Sequence, residues 1–196
     1  RTNGRGVSGA CNACLRRGYL IGLLAGWIAG LIGRPGRRPS ELLALDDASL
    51  AEAVGGKGRQ EALAFLGRFE PRGARADLRR PGVTAVSRHH ESYPEALAAL
   101  NDKPTVLFCR GRVELLAAVD EEPAVTVVGT RDATPYAIDV AHDVGHGLGV
   151  AGITTISGMA LGVDGAAHRG ALGARGATIA VLAGGPDVAY PRRHRE

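Results

Sequence analysis

Residues 124–182 read AVTVVGTRDATPYAIDVAHDVGHGLGVAGITTISGMALGVDGAAHRGALGARGATIAVL. Three short runs rich in apolar and β-branched residues punctuate this stretch: Ala124–Val128, Ile153–Ile156 and Thr178–Leu182. Helical text separates them, over Tyr136–Leu148 and Val163–Ala174. That alternation predicts an α/β fold, a partial Rossmann-like parallel sheet with helices on both faces. The uninterrupted apolar character of Ala124–Val128 predicts a buried strand. Open parallel sheets bind ligands beyond the carboxyl ends of their strands. The three turns that follow the strands are therefore where function is sought.

The first turn, Gly129-Thr130-Arg131, runs through Asp132-Ala133-Thr134 into a helix. Free N–H groups and the positive helix end suit an anion there, with Gly129 allowing close backbone approach and Arg131 offering a bidentate phosphate partner. A plain helix cap with a solvated arginine fits the same residues. The second turn, Ser157-Gly158-Met159-Ala160-Leu161-Gly162-Val163-Asp164, is too Gly-rich for helix and too apolar for an ordinary surface loop. It reads as a ligand cradle, with Ser157 as a hydrogen-bond donor. Asp164 fits either a cap or a ligand contact. His168, at i+4 from Asp164, shares its helix face and reads as a packed structural residue rather than a catalytic one. Arg169 beside it is within reach of a phosphate. The third turn, Gly184-Gly185-Pro186-Asp187, leads to Tyr190 and the basic Arg192-Arg193-His194. A flat ring beside cations suits single-stranded nucleic acid.

Several patterns imitate other sites. Gly147-x-Gly149-x-x-Gly152 has the dinucleotide spacing but follows a helix and precedes a strand, the reverse of the required context, so it reads as a helix stop. His142-Asp143-Val144-Gly145-His146 resembles a zinc-binding H-E-x-x-H, yet Gly145 weakens the helix and no third ligand is evident. Cys11-Asn-Ala-Cys14 has no second pair to complete a zinc site, and with Cys109 gives three thiols, too few for a disulfide framework. Inert thiols in a reducing, cytoplasmic compartment are the expectation. No P-loop, Ser-His-Asp order or paired carboxylates stand out, so no catalytic residue, metal or cofactor is expected.

Upstream, Val83–Val86 and Thr105–Phe108 predict short strands, with helical turns at Pro94–Leu100 and Glu114–Val119. Pro71–Pro81 is Arg-rich and Pro-bounded, the signature of a linker. Before it, Pro39-Ser40-Glu41, Asp46–Ser49 and Gln60–Phe69 open or form short helices. The run Tyr19–Ile32 has 14 apolar or small residues, about 21 Å as a helix and short of the ~30 Å hydrocarbon core. It reads as the buried helix of a small helical module and not as a membrane span. Arg34, Arg37 and Arg38 follow it.

The whole chain has 196 residues, 45% hydrophobic and 22% charged, which excludes wholly disordered and collagen-like classes. No apolar run reaches 18 residues, which excludes a polytopic membrane protein. The net charge of +4 is unevenly spread: residues 1–82 carry +7 and residues 83–196 carry −3. A basic amino-terminal piece suits a polyanion. Arginine outnumbers lysine 22 to 2, however, in a chain rich in Ala and Gly. Codon bias explains part of that, so arginine count alone argues little.

Taken together, several segments resemble the DNA-processing DprA (Smf) family. They are Tyr93-Pro94 with Leu97 and Leu100; Pro104 and Leu107 leading to Gly111; V-V-G-T-R at 127–131 with Ala133, Thr134 and Tyr136; S-G-M-A-L-G-V-D at 157–164; A-A-H-R-G-A-L at 166–172; T-I-A-V-L at 178–182; and G-x-D-x-x-Y-P at 185–191. The resemblance covers roughly Tyr93 to His194 and weakly the amino-terminal module. It implies a helical module of SAM-like or helix-hairpin-helix-like type over 1–70, a linker over 71–82, and the amino-terminal part of a Rossmann-like domain over 83–196. It also implies a non-enzymatic protein that binds single-stranded DNA, protects it and helps load RecA recombinase in natural transformation. By position, Arg131 matches the family's phosphate-pocket arginine. Ser157, Gly158, Gly162 and Asp164 match its Gly-rich loop, with Met159 inside that loop and His168 and Arg169 following it. Gly185, Asp187, Tyr190 and Pro191 match the third loop, with Gly129, Thr130 and Gly184 adjoining.

Ala137 departs from a usual Gly, and His194 from a common Asn. The chain stops at Glu196 before the rest of the family's sheet, which suggests a fragment with an open edge at Thr178–Leu182 and with the regions for homodimerisation and RecA contact largely missing. The alternative reading is a nucleotide-binding hydrolase of the related phosphoribohydrolase type. Its P-G-G-x-G-T segment is not present in these 196 residues.

Overall fold

The computed structural model describes residues 9–33, 39–188 and 191. Tyr190, Arg192, Arg193 and His194, together with Arg34, Arg37 and Arg38, lie outside the described residues. In chain order the elements are α1 (Asn12–Ile32), α2 (Pro39–Leu43), α3 (Asp47–Val54), α4 (Gly56–Arg68), α5 (Pro71–Arg79), β1 (Val83–Ser87), α6 (Glu95–Ala98), β2 (Val106–Arg110), α7 (Glu114–Glu121), β3 (Ala124–Thr126), α8 (Pro135–Val150), β4 (Thr154–Ser157), α9 (Val163–Gly173) and β5 (Thr178–Ala180). They divide into two compact units, Arg1–Cys109 and Arg110–Glu196.

The first unit is built around α1. Leu20, Leu24 and Ile28 recur at i, i+4 and i+8, so they form one stripe. That stripe packs with Leu50 and Ala51 of α3 and Ala62 of α4. Nearer the helix start, Leu15 joins Ala74, Ala85 and Val106 in a second cluster flanked by Tyr19, Phe69 and Phe108. Arg17 is buried at the foot of α1, where it pairs with Asp47 at 3.0 Å and donates to the Leu43 carbonyl. A buried guanidinium needs such partners, since removing one leaves a charge without water. At 21 residues, α1 is longer than the apolar run suggested, and by length and composition it could cross a membrane. One of its faces is nonetheless committed to the core of this unit.

Residues expected as linker form α5. Pro71 at the first turn presets φ, and Ala74 and Leu78, four apart, turn inward. Tyr19 Oη donates to the Ala74 carbonyl and Arg75 to the Ala10 carbonyl. The Arg and Pro content concealed a two-residue apolar stripe that only the packing partner makes decisive. The division into compact units falls at Cys109/Arg110, and β1 pairs with β2 in a two-stranded sheet separate from the parallel one.

The second unit holds the parallel sheet, order β3-β4-β5, with Ala124 opposite Thr154 and Thr155 opposite Thr178. The alternation in residues 124–182 gives this topology directly. The expectation that Ala124–Val128 is buried is corrected. The strand is only Ala124–Thr126, and all three residues are exposed. As an edge strand it has a neighbour on one side only. Thr154 and Thr155 of the central β4 are buried instead.

Above the sheet, α8 and α9 approach backbone to backbone. A Cβ added at Gly170 would strike the His142 carbonyl oxygen and come within 2.7 Å of the His146 nitrogen. One added at Gly145 would strike the Ala167 carbonyl oxygen, and one added at Gly176, just past the end of α9, would strike the Gly149 Cα. Gly145 therefore does not break the helix; it is buried in a close crossing. Gly147 faces open space. Substituting Gly170 by Ala is expected to destabilise the unit by ~1–3 kcal/mol through overpacking, despite alanine's helix propensity. Gly147→Ala is expected to stabilise by ~0.5–1 kcal/mol. Urea unfolding of both variants checks this, and a shift in the same direction for both would refute the close-contact explanation.

Candidate nucleic-acid interface at the strand ends

Because β3, β4 and β5 are parallel, the turns after them emerge along one edge. Glycines let the first two turns interlock. A Cβ at Gly162 would strike the Thr130 carbonyl oxygen and lie 2.8 Å from that of Arg131, while one at Gly129 would lie 2.7 Å from Val163. Gly162 also has φ +82°, in the left-handed region where a side chain is strained. Val163 N–H donates to the Thr130 carbonyl at 3.3 Å, closing the contact. Met159 sits at φ +58°, an uncommon conformation for a residue with a side chain.

The polar groups of the second turn mostly hold the turn itself. Ser157, 2% exposed, donates its hydroxyl to the Val127 carbonyl at 2.7 Å, stitching the end of β4 to the end of β3. Its backbone carbonyl accepts from Val181 N–H at 2.8 Å, stitching β4 to the chain after β5. Asp164, 6% exposed, accepts from Gly158 N–H at 3.2 Å. Its place in the first turn of α9 puts a negative group at the positive helix end. His168, 3% exposed, lies deeper. Its Nδ1 is 2.7 Å from the Thr178 hydroxyl, which donates to the Thr155 carbonyl at 2.9 Å. With the threonine proton spent there, Nδ1 is the donor to Thr178, so His168 ties α9 to β5 and β4.

The outward groups are different ones. Thr130 and Arg131 are exposed beside Asp132, whose N–H donates to Thr130 Oγ1 at 3.2 Å. Thr134 caps α8 by accepting from Ala137 N–H. Gly129, Gly158, Gly184, Gly185 and Asp187 are exposed, Met159 and Gly162 half-buried, and Arg169 exposed on α9. The Asp187 carboxylate folds back over Gly185. Tyr190, named from sequence for this edge, is outside the described residues. The sequence reading passed over Tyr136 as a site residue, yet it stands 78% exposed in the first turn of α8. The signal was an aromatic directly after the Pro135 that opens the helix. Leu161, 39% exposed, adds an apolar tip. Exposed cation, glycines, aromatic ring and apolar tip together can bind a phosphate chain and a base face.

Among the described residues no group of three or more His, Cys, Asp or Glu is placed to hold a metal. His142 and His146 stack along α8 with ring centroids 6.5 Å apart.

If Asp164 organises the second turn, Asp164→Ala should cost ~1–3 kcal/mol of stability by leaving the Gly158 N–H without its acceptor. Asp164→Asn, which keeps an acceptor oxygen, should cost less. Hydrogen exchange at the Gly158 amide and denaturant unfolding check this; unchanged exchange in the alanine variant would refute it.

A family model described as DNA recombination-mediator protein A matches residues 84–196. A Mycobacterium tuberculosis protein named for DNA processing, DprA, is 47% identical over 91 residues, 46% of this chain and 23% of that protein. The DNA processing protein DprA of Bacillus subtilis is 34% identical over 119 residues, 61% of this chain and 39% of that one. The X-ray structure of DNA processing protein A from Streptococcus pneumoniae superposes with a TM-score of 0.60 at 25% identity, over 92% of this chain and 59% of that chain. The chain thus spans from about a quarter to two fifths of the length of these curated relatives.

Proposed function

We propose a function from one premise: the chain belongs to the DNA recombination-mediator protein A family. Its strand-end edge binds single-stranded DNA through the backbone, with little preference for sequence, and the protein acts as a recombination mediator in DNA processing and natural transformation. The observation that carries this reading is exposed Arg131 in a turn held against Gly162, at the edge where a parallel sheet receives its ligand. Arg131 is the phosphate contact, Gly129, Thr130 and Gly158 give backbone access, and Tyr136 offers a stacking face. Ser157, Asp164 and His168 position the turns instead of touching DNA. The net +7 of residues 1–82 supports long-range attraction of a polyanion. RecA recombinase as the protein partner, a homodimer, a cytoplasmic setting and the lack of a catalytic step belong to the same proposal.

Filter binding of oligo-dT to the chain across a salt series is the test. Affinity should fall with a log–log slope of about −0.7 per phosphate neutralised. Arg131→Ala should weaken binding by ~1–3 kcal/mol, about uniformly across sequences. Arg131→Lys should recover part of the loss, since a point charge replaces a bidentate fork. A salt-independent interaction, a strong preference for duplex, or an alanine variant that binds like the parent would overturn the assignment.

A further inference from the structure

We infer that Cys11 and Cys14 are a redox-active dithiol that exchanges with low-molecular-weight disulfides. The sequence alone read these thiols as inert, since no second pair completes a zinc site; C-x-x-C spacing by itself says nothing of exposure. Tertiary structure separates the two. Cys11 is exposed and is the N-cap of the 21-residue α1, with extended backbone and its Sγ accepting from Cys14 N–H at 3.4 Å. Cys14, one turn in, is 4% exposed. This is the arrangement an attacking thiol and a resolving thiol need: one reachable by a substrate, the other shielded and close behind it.

The surroundings favour thiolate at Cys11 alone. No acidic residue lies in the first turn of α1. The Cys14 backbone N–H, and to a lesser degree the Cys14 thiol and Arg75, hold the Cys11 thiol below its ordinary range. Burial, and then the neighbouring Cys11, push Cys14 up to about 11. Cys109 is also pushed up to about 11, by burial alone. It makes an internal control within the same unit. A second, independent observation is a cleft of about 620 Å³ whose lining includes Cys11 and Cys14 with Arg16, Arg88 and Lys103. That is room for a small peptide-like molecule; Asp46, Asp47 and Asp102 line the cleft as well, with Arg16 paired to Asp47, so the mixed lining suits a molecule bearing both charges.

The exchange balances as follows. The Cys11 thiolate attacks one sulfur of an external disulfide; the external S–S bond breaks, and the departing thiolate takes a proton from water. A mixed disulfide on Cys11 remains. Cys14 then loses its proton to solvent and attacks Cys11 Sγ, expelling the second external thiolate, which is protonated. The protein loses two protons and two electrons, and the external disulfide gains them to become two thiols.

The test uses the full 196-residue chain in glutathione/glutathione-disulfide buffers of graded ratio, acid-quenched, alkylated and read by mass. An intramolecular Cys11–Cys14 disulfide should appear, two hydrogens lighter, while Cys109 stays alkylatable. Cys14→Ala should trap one glutathione on Cys11, and Cys11→Ala none on Cys14. At pH 7, alkylation of Cys11 should exceed that of Cys109 by at least about tenfold, since a lowered pKa leaves more thiolate there. Should Cys14→Ala fail to fold by circular dichroism, the parent's mass and alkylation readouts decide alone. A Cys11–Cys14 pair that remains reduced in excess glutathione disulfide, or one oxidised no more readily than Cys109, would overturn the inference.

Discussion

The second unit depends on the contact between α8 and α9. Gly145 against Ala167 and Gly170 against His142 bring two helix backbones into direct contact, and Gly149 meets Gly176 just beyond α9. Helices packed through larger residues lie ~8–10 Å apart. Glycine inside a helix costs about 0.5–1 kcal/mol relative to Ala, and dense backbone contact offsets that cost by dispersion. Both helices also start from strand-end turns. Their spacing therefore sets how far apart the capped start of α8 at Thr134 and the start of α9 at Gly162 can be.

From that spacing follows the interlock at the edge. Gly162 can press on the Thr130 and Arg131 carbonyls only because α9 begins where α8's approach permits. Ser157 and Asp164 then close the turn with bonds to Val127 and Gly158. His168, joined to Thr178 and through it to Thr155, locks the helix to the sheet. The division of labour is clear: the Ser157, Asp164 and His168 side chains bond inside the fold, and Arg131 stands exposed. Preorganised turns of this kind hold a backbone contact without an ordering cost at the moment of binding.

The first unit obeys a different constraint. Its single long helix carries an apolar stripe for the core and, at its start, Arg17 locked to Asp47 and Leu43. That lock anchors α1 just beyond the first turn, which carries Cys14. The proposed thiol exchange at one helix start and the proposed anion contact at a sheet edge thus rest on separate cores within the two units.

The sequence by itself determined the β-α-β-α-β order, the parallel sheet, the three strand-end turns and the family, because period and turn residues are local properties of the chain. It also identified Gly147-x-Gly149-x-x-Gly152 as a helix end: α8 closes at Val150, and Gly152 takes φ +72°. Other features needed the folded chain. Pro71–Arg79 is a helix because Ala74 and Leu78 find a core, and no local pattern announced that core. Val125 is exposed because β3 is an edge, a matter of strand order. Gly145 and Gly147 are alike in sequence, yet one meets a helix backbone and the other meets nothing. Ser157 and Arg131 both read as ligand contacts, and burial alone separates the one that staples strands from the one that faces outward. Two cysteines three residues apart became unequal through the same cause: tertiary packing, not sequence, decides which side of a helix start water reaches.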